Sequence, residues 1–214
     1  MSNLADTLKG RFIVIDGPDG AGKSTQLALL ADWLEDQGVS VSVTRDPGGT
    51  PIGDRVREIL LDNGHSEMAI ECELMLYMAS RAQLAAEVIR PAIAKGDCVL
   101  CDRFISSTIA YQGAGGAQTE TVRSVGEAAV GGLWPDLTII LDLPHAEGLD
   151  RARSREGAGP DRMEAKQAKF HQRVRELFLR QASDDPSRFV VIDAGGKVEE
   201  VQARLRDAIE RWKF

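Results

Sequence analysis

The chain has 214 residues, enough for one domain with a substantial core. It carries 26 lysines and arginines against 33 aspartates and glutamates, a net charge of −7 with a pI near 5.1, and this argues against a general nucleic-acid binder, which would show a basic bias. No apolar run reaches the length of a membrane span and no signal peptide precedes the first strand, so the expected location is cytoplasmic; Cys72, Cys98 and Cys101, odd in number and sparse, suit a reducing compartment.

Residues 1–10 are polar and read as a loose lead-in. Phe12–Asp16 is an apolar run ending in an acid, the pattern of a strand covered on both faces. Gly17-Pro18-Asp19-Gly20-Ala21-Gly22-Lys23-Ser24 follows, and a helical pattern occupies 23–37. Strand, glycine-rich turn and helix, in that order, are the context in which G-x-x-x-x-G-K-[ST] cradles phosphate. Backbone N–H groups turn inward on the anion, and the helix N-terminus adds partial positive charge behind it. Lys23 then reaches the β- and γ-phosphates, and the Ser24 hydroxyl is offered to Mg2+. With both flanks in place, a turn that binds nothing is a poor account.

Val39–Thr44 alternates apolar and polar residues, which predicts a strand towards an edge. Arg45-Asp46-Pro47-Gly48-Gly49-Thr50 leads into a helix at 53–62, with Thr50 as its capping residue. Arg55 reads as a solvated charge, whereas Arg57, with Val56 and Ile59 as neighbours, belongs to an inner side where its fork suits a pair of phosphate oxygens. A long helix is expected over 67–95, then a buried strand, Cys98–Asp102. Cys98 and Cys101 point to opposite faces of that strand and lack a second pair to complete a zinc site, so both read as core. Asp102, an acid ending a buried strand beside a phosphate loop, is placed to hold Mg2+, and Arg103 to bind a phosphate. An ion pair buried between those two for structure alone would carry a large desolvation cost.

A helix at 118–132 and the strand Leu137–Asp142 come next. Arg151, Arg153 and Arg155 then alternate before the glycine-rich stretch 156–160 and Asp161-Arg162. Cations so closely spaced repel without an anion among them, and the four arginines read as a lid over about 150–162 that neutralises a moving phosphoryl group. A helix at 160–183, the strand Phe189–Asp193 and a helix at 198–212 complete the chain. The prediction is an α/β three-layer sandwich: one domain over 1–214, a five-stranded parallel sheet flanked by helices, a P-loop NTP kinase fold with a lid. Its polar residues collect beyond the carboxyl ends of the strands, where such sheets bind ligands.

Four segments together resemble the thymidylate kinase family of bacterial type, among the P-loop nucleoside monophosphate kinases. They are Ile15 to Thr25, Thr44 to Thr50, Asp102-Arg103-Phe104 through Ala110-Tyr111-Gln112-Gly113, and Arg151 to Arg155 through Asp161-Arg162-Met163-Glu164. The first alone would indicate only NTP binding; the second and third together are far more specific. The resemblance implies ATP-dependent phosphorylation of dTMP to dTDP with Mg2+, on the route to dTTP. It implies that Gly17, Pro18, Asp19, Gly20, Ala21, Gly22, Lys23, Ser24 and Thr25 bind ATP, and that Asp19 also contacts the sugar 3′-hydroxyl of dTMP. Arg57 and Arg103 would bind the dTMP phosphate. Asp46 stands where bacterial members usually have Glu and keeps the charge. Tyr77 would stack on thymine and Arg81, four residues on, bond the base; Thr108 and Gln112 would read its edge, and Tyr111 would wall the deoxyribose against a 2′-hydroxyl.

The phosphate loop lacks the basic residue that some members carry between its glycines, which passes the catalytic role to a lid arginine, Arg155 first and Arg153 as the fallback. Asp193-Ala194-Gly195-Gly196 resembles the loop near adenine. Family members are commonly homodimers, so a homodimer is expected, with neither nucleic acid nor membrane as partner. Two other readings stand beside this one. Another nucleoside monophosphate or deoxynucleoside kinase of the same fold is separated by a substrate panel. A GTP-cycling switch is disfavoured by the absence of Asn-Lys-x-Asp.

Overall fold

Five apolar runs become one parallel sheet: β1 (Phe12–Asp16), β2 (Val41–Arg45), β3 (Cys98–Asp102), β4 (Leu137–Asp142) and β5 (Phe189–Asp193), in the order β2-β3-β1-β4-β5. The computed structural model describes residues 3–148 and 161–214. The expected lid at about 150–162, with Arg151, Arg153 and Arg155, therefore lies outside the described residues except for Asp161 and Arg162. β1 is central, with Ile13 level with Leu100 on one side and Leu137 on the other. β1, β3 and β4 are buried along almost their whole length. The alternating β2 is at an edge, as its pattern predicts; β5 is at the other, half-exposed although its run is as apolar as the central ones.

The helices among the described residues include α1 (Leu4–Leu8), α2 (Lys23–Asp36), α3 (Pro51–Leu61), α4 (Ile70–Leu84), α5 (Arg90–Lys95), α6 (Ile105–Ala114), α7 (Thr119–Val130), α8 (Ala168–Asp184) and α9 (Val198–Arg211). Strand side chains alternate between two layers. Ile13, Ile15, Cys98, Leu100, Ile139 and Leu141 meet α1, α2 and α9 through residues such as Leu8, Leu30 and Leu205. Phe12, Val14, Val99 and Cys101 meet α4, α6 and α7 through Met78, Ile109 and Val122, and Ile140 meets Val174 and Phe178 of α8. Cys98 and Cys101 thus sit in separate clusters on opposite faces, as their spacing predicts.

Four segments differ from the sequence reading. The lead-in is not loose beyond residue 2: the Asn3 side chain accepts from Ala5 N to start α1, and Leu8 is fully buried in the core, so one apolar residue docks a polar segment. The helix expected over 67–95 is α4, a π turn at Ala85–Ile89 and α5. Pro91 lacks the N–H that a regular helix needs, and the preceding Arg90 N reaches back five residues to Ala85 O. α6 forms in a hydroxyl-rich stretch of weak helix formers because every residue from Ile105 to Gln112 is buried. α8 begins at Ala168 and not at 160, because the Asp161 carboxylate accepts from Met163 N and Glu164 N and ties residues 161–164 into a turn. α3 starts at Pro51, with the Thr50 hydroxyl accepting from Gly53 N at 3.0 Å.

Candidate active site at the carboxyl edge of the sheet

The turns after β1, β2 and β3 open on one cleft enclosing about 910 Å³, part of it open to solvent. Asp19, Gly20, Gly22, Lys23, Ser24, Asp46, Arg57, Tyr77, Arg81, Asp102, Arg103, Thr108, Tyr111 and Gln112 all line it. Residues spread over more than ninety positions of sequence are brought to one wall by the topology alone. Gly17, Pro18, Ala21 and Thr25 complete the phosphate loop outside that lining, and Arg153 and Arg155 lie outside the described residues.

The phosphate loop is held by backbone packing. Gly17 has φ +132°, and a Cβ there would lie 2.4 Å from Leu141 O; Gly20 has φ +79°, and a Cβ there would lie 2.1 Å from Gly148 O. Gly22 begins α2 in the left-handed region with no side-chain cap, so the first N–H groups of α2 are left for an anion. Lys23 Nζ donates to Gly17 O (3.1 Å) and Pro18 O (2.8 Å) within the loop. Burial, and then the Arg103 charge, pull the Lys23 pKa down to about 8, against the attraction of Asp19, Asp102 and Asp16. Ser24 Oγ donates to Asp102 Oδ2 (2.8 Å), while Asp102 Oδ1 is buried without a hydrogen-bond partner among the described residues. A hydroxyl and an unsatisfied carboxylate oxygen are hard donors that fit a divalent cation such as Mg2+. Among the described residues no group of three or more His, Cys, Asp and Glu could hold a metal. An ion on Ser24 and Asp102 would therefore take its other ligands from phosphate oxygens and water.

Next to the loop lies a second cationic centre. Arg103 takes φ +70°, the left-handed region, directly after β3. Its Nη1 donates to Gly17 O (3.1 Å) and Ser107 Oγ (2.9 Å), and its Nη2 pairs with Asp19. Asp16, fully buried at the end of β1, accepts from Ser106 Oγ (2.6 Å) and Ser107 Oγ (2.7 Å). Tyr111 donates its hydroxyl to Asp19 Oδ2 at 2.6 Å. Burial raises the Asp19 pKa, but Arg103, Lys23 and the Tyr111 hydroxyl outweigh it and hold the carboxyl below its usual range. Arg57 Nη1 donates to Pro47 O (2.9 Å). Burial, and then the guanidinium groups of Arg45 and Arg103, push the Arg57 pKa down: these cations crowd one another and would welcome an anion.

The far end of the cleft is uncharged in balance. Arg81, 1 % exposed, pairs through Nε with Asp46 Oδ2 at 2.5 Å and donates from Nη2 to Thr108 Oγ1 at 3.0 Å. One Asp46 oxygen is thereby occupied, and the other is buried without a partner. Thr108 accepts from Arg81, which leaves its own proton to donate. Gln112 gives its Nε2 to Glu73 Oε1 at 2.8 Å, and its Oε1 has no hydrogen-bond partner among the described residues.

Arg162 is a correction to the lid reading. It is buried, pairs with Glu73 and donates from Nε to Leu60 O at 2.9 Å, so it counters a carboxylate in the protein. Sequence reading also passed over Glu73, gave Asp16 no role of its own, and grouped Ser107 with the hydroxyls suited to a sugar or a base. Glu73 carries a legible signal: with Tyr77 and Arg81 it repeats every four residues along α4, one helix face. Asp16 was absorbed into its strand and Ser107 into a run of hydroxyls, and neither has a pattern of its own.

A family model described as Thymidylate kinase matches residues 15–205. The thymidylate kinase of Deinococcus radiodurans is 48% identical over 202 residues, covering 94% of this chain and 97% of that protein. That of Syntrophotalea carbinolica is 49% identical over 201 residues, covering 91% of this chain and 92% of the other. Among solved structures, the crystal structure of thymidylate kinase from Ehrlichia chaffeensis superposes with a TM-score of 0.77 at 29% identity, covering 94% of this chain and 99% of that one.

Proposed function

The chain belongs to the thymidylate kinase family, and on that premise we propose that it transfers the γ-phosphoryl group of ATP to the 5′-phosphate of dTMP, giving ADP and dTDP on the route to dTTP. The observation that carries this reading is the single cleft that joins a phosphate loop, a second cationic centre at Arg57 and Arg103, and an end lined by Tyr77, Arg81, Thr108 and Gln112. Two anionic nucleotides meeting head to head need that sequence of environments. A coupled ADP-release assay with ATP, Mg2+ and a panel of dTMP, dCMP, AMP and thymidine tests it. Preference for dTMP is expected; transfer to thymidine, or ADP release independent of acceptor, would overturn it.

No covalent intermediate is required. The loop N–H groups and Lys23 hold the β- and γ-phosphates, Gly17 through Thr25 forming the donor cradle. Arg57 and Arg103 hold the acceptor phosphate in line with the γ-phosphorus. Mg2+, on Ser24 and Asp102, supplies neutralisation of the phosphate charge when bound. Asp19 accepts a hydrogen bond from the sugar 3′-hydroxyl, Tyr111 packs against the deoxyribose, and Tyr77 stacks on the base. Arg81, with Asp46 paired behind it, and Thr108 and Gln112 face the base edge. Arg155 in the lid meets the charge on the transferring group, with Arg153 as its alternate. Arg155→Ala is expected to lower kcat by roughly 10²- to 10³-fold with KM for dTMP nearly unchanged, measured at saturating ATP; unchanged kcat would move the role to Arg153.

The lowered Lys23 pKa sets a pH dependence. Only the ammonium form holds phosphate, and in the empty enzyme it is lost as pH rises through about 8. Bound ATP adds negative charge beside it and raises that pKa. The expected result is that kcat/KM for ATP falls above pH of about 8, while kcat at saturating ATP breaks at higher pH. Coincident breaks would remove Lys23 as the group responsible.

A homodimer fits the exposed Ile52 and Ile59 on α3 and Met75 on α4, apolar residues on two helices that pack against each other. Light scattering is expected to give twice the chain mass of 23.2 kDa. Among the described residues no helix is long and apolar enough to cross a membrane, and a cytoplasmic location, where ATP is available, goes with the reading.

A further inference from the structure

Gln112 is a symmetrical-looking fork with opposite chemistry on its two prongs. Nε2 donates and Oε1 accepts, and the two prongs exchange places by rotation about one bond. What a ligand meets depends on which prong the protein holds. Here Glu73 holds it: its carboxylate can only accept, and its Oε1 takes Gln112 Nε2 at 2.8 Å. Glu73 is 2 % exposed and Gln112 1 %, so water does not compete. The Gln112 carbonyl, buried and unpartnered among the described residues, is the amide atom left for whatever enters the cleft.

The other oxygen of the carboxylate pairs with Arg162. The guanidinium pairs with Glu73 Oε2, and it is itself fixed by Nε to Leu60 O (2.9 Å) and by the backbone bond from Arg162 N to Leu61 O (3.3 Å). Glu73 thus divides its two oxygens, one to the Arg162 guanidinium and one to the amide that it orients. None of this contact touches the cleft's phosphate end.

We propose that Glu73, charge-balanced by Arg162, is a positioning residue for base selection: it locks Gln112 with its carbonyl towards the base, so that the site accepts a ring N–H donor and rejects a ring nitrogen lone pair at the same place. Thymine presents the donor at N3 and cytosine the lone pair. This rests on the reading above that Gln112 faces the base edge. In Glu73→Gln, Arg162 claims the new amide oxygen, and the new NH2 group turns to Gln112. Gln112 then rotates and presents its own NH2 group to the cleft, which inverts what the site recognises.

The test measures kcat/KM for dTMP and dCMP in the full-length wild type, Glu73→Gln and Gln112→Leu, with thermal melting alongside. Glu73→Gln is expected to narrow the dTMP-to-dCMP ratio by roughly tenfold or more, by losing dTMP and gaining dCMP. A purely structural Glu73 would lower both substrates alike and leave the ratio where it was, and that result overturns the proposal. Should Glu73→Gln fail to fold, the paired variant Glu73→Leu with Arg162→Met removes both charges and leaves neither buried alone. Gln112 is then unanchored, and the ratio is again expected to narrow; an unchanged ratio overturns the proposal. Gln112→Leu separates the two levels. If it leaves the ratio intact, the base-edge role of Gln112 falls and the positioning role with it. If it narrows the ratio and the Glu73 variants do not, only the positioning role falls. A wild type without preference for dTMP overturns both.

Discussion

Lys23→Ala is expected to lower kcat for dTMP phosphorylation by roughly 10³-fold or more while the protein remains folded. The two halves of that expectation have one cause. Lys23 is buried, and among the described residues its Nζ donates to the carbonyls of Gly17 and Pro18. A buried ammonium is a poor contributor to folding, as its depressed pKa indicates. On the proposed reading it serves the anion that enters, where a pre-positioned cation in a water-poor site would stabilise charge on the transferring group more than solvent would. Removing it should leave the melting temperature within a few degrees of wild type and remove most of the rate. Activity within tenfold of wild type would end the assignment of this loop to ATP.

Arg103→Ala is expected to fail in both respects. Its guanidinium sits between Asp16, Asp19, Ser107 and the Gly17 carbonyl, so truncation leaves a fully buried carboxylate and a partly buried one without their main counter-charge. Breaking a buried pair from one side costs about 3–5 kcal/mol. At the lower end of that range, since Arg103 retains some exposure, a chain of this length would melt roughly 6–12 °C lower. The kcat/KM for dTMP should fall by roughly 10³-fold as the acceptor phosphate loses its fork. Arg103→Lys divides the two effects: a point charge returns part of the stability, while the paired N–H geometry, and hence the rate, stays lost. Normal turnover in an Arg103→Ala protein that melts low would reduce Arg103 to a scaffold residue.

The sheet was legible because its signals are local. Phe12–Asp16 and Cys98–Asp102 announce burial on both faces by composition, and the alternation in Val39–Thr44 announces an edge. The phosphate loop was legible because anion binding there is done by backbone, which demands glycine and a fixed spacing. What stayed hidden is what depends on distant partners. β5 is apolar but peripheral, a fact of strand order and not of its own residues. Leu8 anchors α1 only because a core is waiting for it. Arg162 follows the alternating arginines in sequence and so inherits their reading, yet a carboxylate 89 positions away, Glu73 on α4, claims it. Asp46 could be recognised as an acid in the right loop, but not as the partner that fixes Arg81.

Gly20 carries a consequence for how this catalyst can change. Its α-carbon rides on the Gly148 carbonyl, in a backbone conformation that side chains avoid. The first carbon of any side chain at position 20 would overlap that carbonyl oxygen, 2.1 Å away. A substitution there would therefore need the backbone at Gly148 to back away first, so a change in the loop cannot be made without a change in the chain beyond β4. The identity of one loop residue is set by a carbonyl more than a hundred positions further along the sequence.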